Sequence, residues 1–78
     1  MKIKYFKDTD TLLLVFNNNK IEETKDLNEN TLIEFDKKGK VVSVTIEHAK
    51  SQTNISNFSY QQIGEFNNTK LENDLVLA

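Results

Sequence analysis

Residues 31–48 constrain this chain more than any other stretch. Thr31–Phe35 and Lys40–His48 flank Asp36-Lys37-Lys38-Gly39. Two runs rich in branched and aromatic residues around a short polar connection, with glycine placed for a positive backbone angle, spell a β-hairpin. In the second arm Val42, Val44, Ile46 and His48 take one face, while Val41, Ser43, Thr45 and Glu47 take the other. A side-chain period of two belongs to a strand, and this density of β-branched residues belongs to a central one. The chain is therefore built around a sheet.

The segments on either side supply the remaining strands. Lys2–Phe6 alternates, with Ile3 and Tyr5 on one face, and Lys7-Asp8-Thr9-Asp10 offers side chains that bond nearby amides in a turn. Thr11–Phe16 (TLLLVF) is an almost wholly apolar run whose length suits a strand covered on both faces. Asn17-Asn18-Asn19 ends it with residues that tolerate the left-handed backbone of a tight reversal. Lys20–Leu27 carries only Ile21 and Leu27 as large apolar residues, which predicts a charged edge strand, with a helical turn as the alternative. Asn28-Glu29-Asn30 turns the chain again. Ala49–Ser56 reads as irregular. Ser59-Tyr60-Gln61-Gln62 has capping-box spacing, predicting a helical turn from Tyr60 that Gly64 stops.

Size and composition exclude several classes. The 78 residues contain no cysteine, proline, tryptophan or arginine, so disulfide scaffolds, zinc knuckles and thiol nucleophiles are out. No apolar run approaches the ~20 residues of a membrane span, and no basic-then-apolar leader opens the chain, so a cytoplasmic protein without membrane contact is expected. Ten lysines face twelve acids, a net charge of −2, and without arginine the bidentate reading of guanine is unavailable to it. No nucleic-acid partner is expected. A domain this small buries only about 60% of its unfolded surface, so self-association or a partner surface is the natural source of additional stability.

Charge is unevenly distributed. From Ile21 to Asp36 six acids oppose Lys25, and from Lys37 to Lys50 four lysines oppose Glu47. Solvated cross-strand pairing accounts for such a pattern. The functional alternative is an acidic patch of Glu22, Glu23, Asp26 and Glu29 that docks a basic protein. Asp8 and Asp10 could face one cation, but a calcium loop needs more oxygen ligands in a longer frame, so they read as a structural turn. His48, the only imidazole, lies among Glu47, Lys50 and Ser51 at a strand end. Catalysis there would need a positioned nucleophile or a metal; a half-buried strand-end histidine or an interface contact is the plainer reading. A hydrolytic enzyme using His48 is the remote alternative, and no catalytic residue, metal or cofactor is assigned.

With these residues in view, the opening Met1-Lys2-Ile3-Lys4-Tyr5-Phe6-Lys7-Asp8-Thr9-Asp10-Thr11-Leu12 resembles a family of short prokaryotic proteins, domain of unknown function 2283. The likeness continues through Glu22-Glu23-Thr24, Asn28-Glu29-Asn30, the hairpin from Ile33 to Gly39 and Val44–Ala49, and covers roughly residues 1–63. Asn57-Phe58-Ser59-Tyr60 is similar to the tail of a cyanobacterial-type subgroup. The run Leu13–Val15 is more apolar than the family's usual Tyr or Ile beside an acid. Some members look like the smaller partner in two-gene arrangements with a toxin, so the resemblance implies an antitoxin-like binding role. It brings no motif residues with it.

The expected architecture is a single mainly β domain over residues 1–66. It is a curved antiparallel meander of about five strands with a short helical turn near the C-terminus, and 67–78 form a tail pairing with a sheet edge or a second subunit. Ile3, Tyr5, Leu12, Leu14, Phe16, Ile33, Phe35, Val42, Val44 and Ile46 are the expected core, covered by Phe58–Phe66 and by a second copy in a homodimer. The expected function is a non-catalytic protein–protein interaction module binding a basic partner. The alternative is a self-assembling structural or accessory protein with no heterologous partner.

Overall fold

Alternation and turn chemistry divide the first 47 residues into five strands. They are β1 (Lys2–Phe6), β2 (Thr11–Val15), β3 (Glu23–Asn28), β4 (Thr31–Phe35) and β5 (Val41–Glu47), followed by a single helical turn, α1 (Ala49–Gln52). The computed structural model describes residues 1–64; the expected tail at 67–78, together with Phe66, lies outside them. All neighbouring strands run antiparallel in one open sheet of order β1-β2-β5-β4-β3. The protein is mainly β, with β5 the middle strand.

The order departs from a sequential meander at one join. β1–β2 is a hairpin and β3–β4–β5 is a meander, but β2 pairs with β5 rather than with β3. The Asn17–Asn19 segment is therefore not a tight reversal. It belongs to a connection from Phe16 to Glu22 that passes the ends of β5 and β4 to reach the far edge. Three strand spacings are about 14 Å, which seven residues span comfortably. Side chains fix its course: Asn17 Nδ2 donates to the Val41 carbonyl at 3.1 Å and Asn19 Nδ2 to Asp36 Oδ2 at 2.9 Å.

The β4–β5 hairpin forms as its sequence predicts. Gly39 takes φ 85°, and its amide donates to the Asp36 carbonyl at 3.0 Å. Asp36 Oδ1 accepts the amides of Lys38 and Lys40 at 2.8 and 2.9 Å. Register shifts once in this pair, where Glu34 opposes Ser43 and Phe35 opposes Val41, leaving Val42 as the extra residue of a bulge. Phe16 N–H closes onto the Val42 carbonyl from the other side at 2.8 Å.

Register assigns the faces. Ile3 and Tyr5 of β1 oppose Leu14 and Leu12, which oppose Val44 and Ile46 of β5; Val44 in turn opposes Ile33 of β4. These side chains share one side of the sheet, continued at the far edge by Lys25 and Glu23, opposite Ile33 and Phe35. The other side mixes Leu13, Val15 and Leu32 with Lys4, Thr45, Ser43 and Glu34.

The expected core is present as a surface and is not enclosed. Among the described residues only Val42 and Ala49 are buried hydrophobics, and no large side chain is fully buried. Ile3 and Phe16 are each 41% exposed, and the rest of the expected set apart from Val42 is half-buried. β2 is likewise half-buried throughout rather than covered on both faces. Phe58, Tyr60 and Ile63 remain exposed, so the described part of the expected cover, 58–64, shields little. The helical turn lies at 49–52, where an irregular stretch was expected, and none forms at Tyr60. The Tyr60 hydroxyl accepts from Gln62 Nε2 at 2.8 Å, and the Ser59-to-Gln62 spacing goes unused for capping.

Two substitutions test this layout. Val44→Asp, which drives a charge into the middle of the central strand, should abolish the cooperative urea transition. An unchanged transition would refute that placement. Gly39→Ala meets no neighbouring atom within 4 Å but must hold a left-handed backbone, so it should cost about 1–2 kcal/mol in the same measurement.

Candidate functional site

Three chain segments meet at one end of the sheet: the β1–β2 turn, the β3–β4 turn and the β5–α1 junction. Asp10 is their centre. It takes a left-handed φ of 56°, and its carboxylate Oδ1 accepts the Tyr5 hydroxyl at 2.6 Å. The same carboxylate accepts the Lys50 amide at 3.1 and 3.4 Å, while the Asp10 carbonyl accepts the Ala49 amide at 2.9 Å. Helix N-termini leave amides without partners. Here two of them are satisfied by a residue far away in sequence, and His48 at the N-cap makes no side-chain cap bond.

His48 is the second non-glycine residue with positive φ, at 55°. Its ring is exposed rather than half-buried, and Nδ1–H donates to Asn30 Oδ1 at 2.9 Å. Glu47 N–H donates to the Asn30 carbonyl at 2.7 Å, so Asn30 ties the β3–β4 turn to the same corner. Strained residues cluster at functional sites often enough to prompt a search. The Ser51 hydroxyl donates to the His48 backbone carbonyl at 2.9 Å rather than to the imidazole. Asp8 is not drawn to Asp10; it lines a shallow depression with Tyr5, Phe6, Lys7 and Thr9. Among the described residues no group of three or more His, Asp or Glu could hold a metal. The bonds of this corner tie the β1–β2 turn, the β3–β4 turn and the β5–α1 junction together.

Its electrostatics follow from the bonds. The Tyr5 hydroxyl holds the Asp10 carboxyl below the usual range, helped by the Lys50 amide and the charges of Lys50 and His48, against a smaller opposing effect of desolvation. The same bond pushes the Tyr5 phenol up, as do desolvation and the Asp10 charge. At the opposite end of the sheet, the Lys40 amide foremost, then Asn19 and the Lys38 amide, lower the Asp36 carboxyl.

The structure separates the four acids of the expected docking patch. Glu23 stands on the apolar side of β3 and pairs with Lys25 at 3.8 Å, whose Nζ lies 5.7 Å from the centroid of the Phe35 ring. Asp26, opposite Leu32, projects to the other side. Glu29 sits in the β3–β4 turn. Glu22 pairs with Lys20 at 3.8 Å and lines an open cleft of about 460 Å³ with Asn19, Asp36, Lys37, Lys38 and Lys40. Lysines outnumber acids in that cleft, so Glu22 belongs to a basic neighbourhood. Sequence reasoning missed both the cleft and the Asp10 corner; the three asparagines at 17–19 and the Tyr5–Asp10 spacing were the only hints.

Fold and corner together define a small open-sheet β domain whose polar bonds serve architecture. A family model described as "Protein of unknown function (DUF2283)" matches residues 2–50, and the chain belongs to that family. The matched stretch runs from β1 to Lys50 and so takes in the whole sheet and both amides that Asp10 binds. No curated protein and no solved structure matches the chain. No helix among the described residues is long and apolar enough to cross a membrane.

Carboxyls held low in the native state contribute stability that is complete above their unfolded value, near pH 4, and lost as pH falls through the native one. The urea midpoint should therefore drop as pH is lowered from about 5 to about 2. Tyr5→Phe removes the largest influence on Asp10. In a carboxyl NMR titration it should raise the Asp10 midpoint and leave that of Asp36 in place.

Proposed function

We propose that this chain is a non-catalytic protein–protein interaction module of the cell interior, without nucleic-acid or membrane contact. The observation that carries the reading is the broad apolar side of the sheet, which the described residues leave half-exposed. Large contiguous apolar surfaces on small proteins serve contact with other macromolecules. The strained polar corner supports the same reading, because its carboxylate and imidazole are engaged in holding turns together.

A basic partner, in keeping with an antitoxin-like role, would approach the β3 edge and the β3–β4 turn. Asp26 and Glu29 make no ion pair among the described residues, whereas Glu22 pairs with Lys20 and Glu23 with Lys25. Such contacts act chiefly on association rate and weaken with salt. The second reading, a self-assembling accessory protein, is favoured by the neutrality of the apolar side and needs none of these acids.

Gentle isolation of the tagged protein from its own host cells separates the two. The first reading expects a stoichiometric basic protein whose recovery falls with added salt. That protein should be lost from the combined Glu22→Lys, Asp26→Lys, Glu29→Lys variant, which leaves Glu23 on the apolar side untouched. A single species at twice the 9.0 kDa chain mass or a higher multiple of it would instead favour self-assembly.

A further inference from the structure

We propose that a second copy of this chain packs face to face on the apolar side of the sheet, with β5 of one copy crossing β5 of the other. Tyr5, Leu12, Leu14, Ile33, Val44 and Ile46 share that side by register, and each is only half-buried. A single sheet with an uncovered apolar face lacks the second layer that domains are built from. With Val42 and Ala49 its only buried hydrophobics, the described chain has almost no enclosed core of its own to offset the conformational entropy lost on folding.

Area, charge and symmetry identify the occupant. Five strands about 4.8 Å apart, each about five residues long with two or three side chains on this side, span a patch of about 24 by 17 Å, about 400 Å² in projection. With side-chain relief this approaches the accessible surface of about 800 Å² per partner of a standard stable interface. The patch has no net charge: Glu23 and Lys25 at the β3 rim pair with each other, and the strand positions from β4 to β1 on this side are uncharged. A strongly basic or acidic partner gains nothing there, whereas an isologous contact needs a patch complementary to itself. β5 is also the third of five strands. A two-fold axis near Val44 then lays one sheet fully over the other, as aligned sandwiches do at a spacing of about 10 Å. The described remainder of the chain leaves this role open, since Phe58, Tyr60 and Ile63 stay exposed.

This inference rests on the proposed interaction role and names the occupant of its apolar side; it does not use the acidic edge, so loss of the dimer and loss of a basic partner are separate outcomes. The test is sedimentation and thermal melting of the full chain, purified alone, over a hundredfold range of concentration. The expected species has twice the 9.0 kDa chain mass, and its melting temperature rises by about 5–10 °C across that range, because unfolding is linked to dissociation. Ile33→Lys, on the packed side, should lower the mass to that of one chain or abolish folding. Thr45→Lys, on the opposite side of the sheet, should leave the dimer mass and the concentration dependence of melting unchanged. A folded 9.0 kDa species with concentration-independent melting overturns the proposal. So does an oligomer of any other size, or a dimer that Ile33→Lys leaves intact.

Discussion

The antiparallel ladder between β2 and β5 makes one sheet out of two locally formed pieces. The β1–β2 hairpin and the β3–β4–β5 meander each close through short turns, and neither alone has more than three strands. Pairing Thr11 with Glu47 and Val15 with Ser43 brings the two apolar stripes, Leu12–Leu14 and Val44–Ile46, side by side. Everything distinctive about the surface depends on that join. It is also the slowest kind of contact to make, because loop closure must precede any gain from pairing.

Each end of the join is held by an aspartate that gathers backbone amides. Asp36 organises the β4–β5 turn and accepts Asn19 from the crossing connection. Asp10 binds Tyr5 at its own hairpin and the first amides of α1 beyond β5. A carboxylate accepting amide hydrogens makes charge-assisted bonds that are stronger than neutral ones. The hairpin and the meander are thus pinned at both ends as well as along the ladder. The positive φ values of Asp10 and His48 are tolerated because these bonds over-determine the corner.

Features carried by local patterns were legible in the sequence. The alternation in Val41–Glu47, the Asp36–Gly39 turn and the charged edge strand, expected over 20–27 and found at Glu23–Asn28, all follow from neighbours a few residues apart. What was illegible rests on distant partners. Nothing near Asn17 announces that its amide will meet the Val41 carbonyl, so a crossing connection resembled a tight turn. Nothing near Ala49 announces a cap supplied by Asp10, forty residues earlier, so a helical turn was missed there while an unused capping pattern at Ser59 suggested one. The ten apolar residues singled out as core were placed mostly on the correct side of the sheet; that almost all would remain half-open was not visible from their spacing. The four acids were adjacent in sequence but fall on two faces, a turn and a cleft, because a strand separates neighbours that a helix would gather.

The outer strands carry a further consequence. β3 has a register shift between Asp26 and Asn28 that leaves Leu27 unpaired, and charged residues line it on both sides. β1 alternates lysines along its length. Irregularity and charge at an exposed strand discourage another strand from adding to it. Lateral extension into a ribbon or fibril is therefore disfavoured at both margins. A neighbouring chain therefore finds no straight, neutral edge on either side along which to continue the ladder.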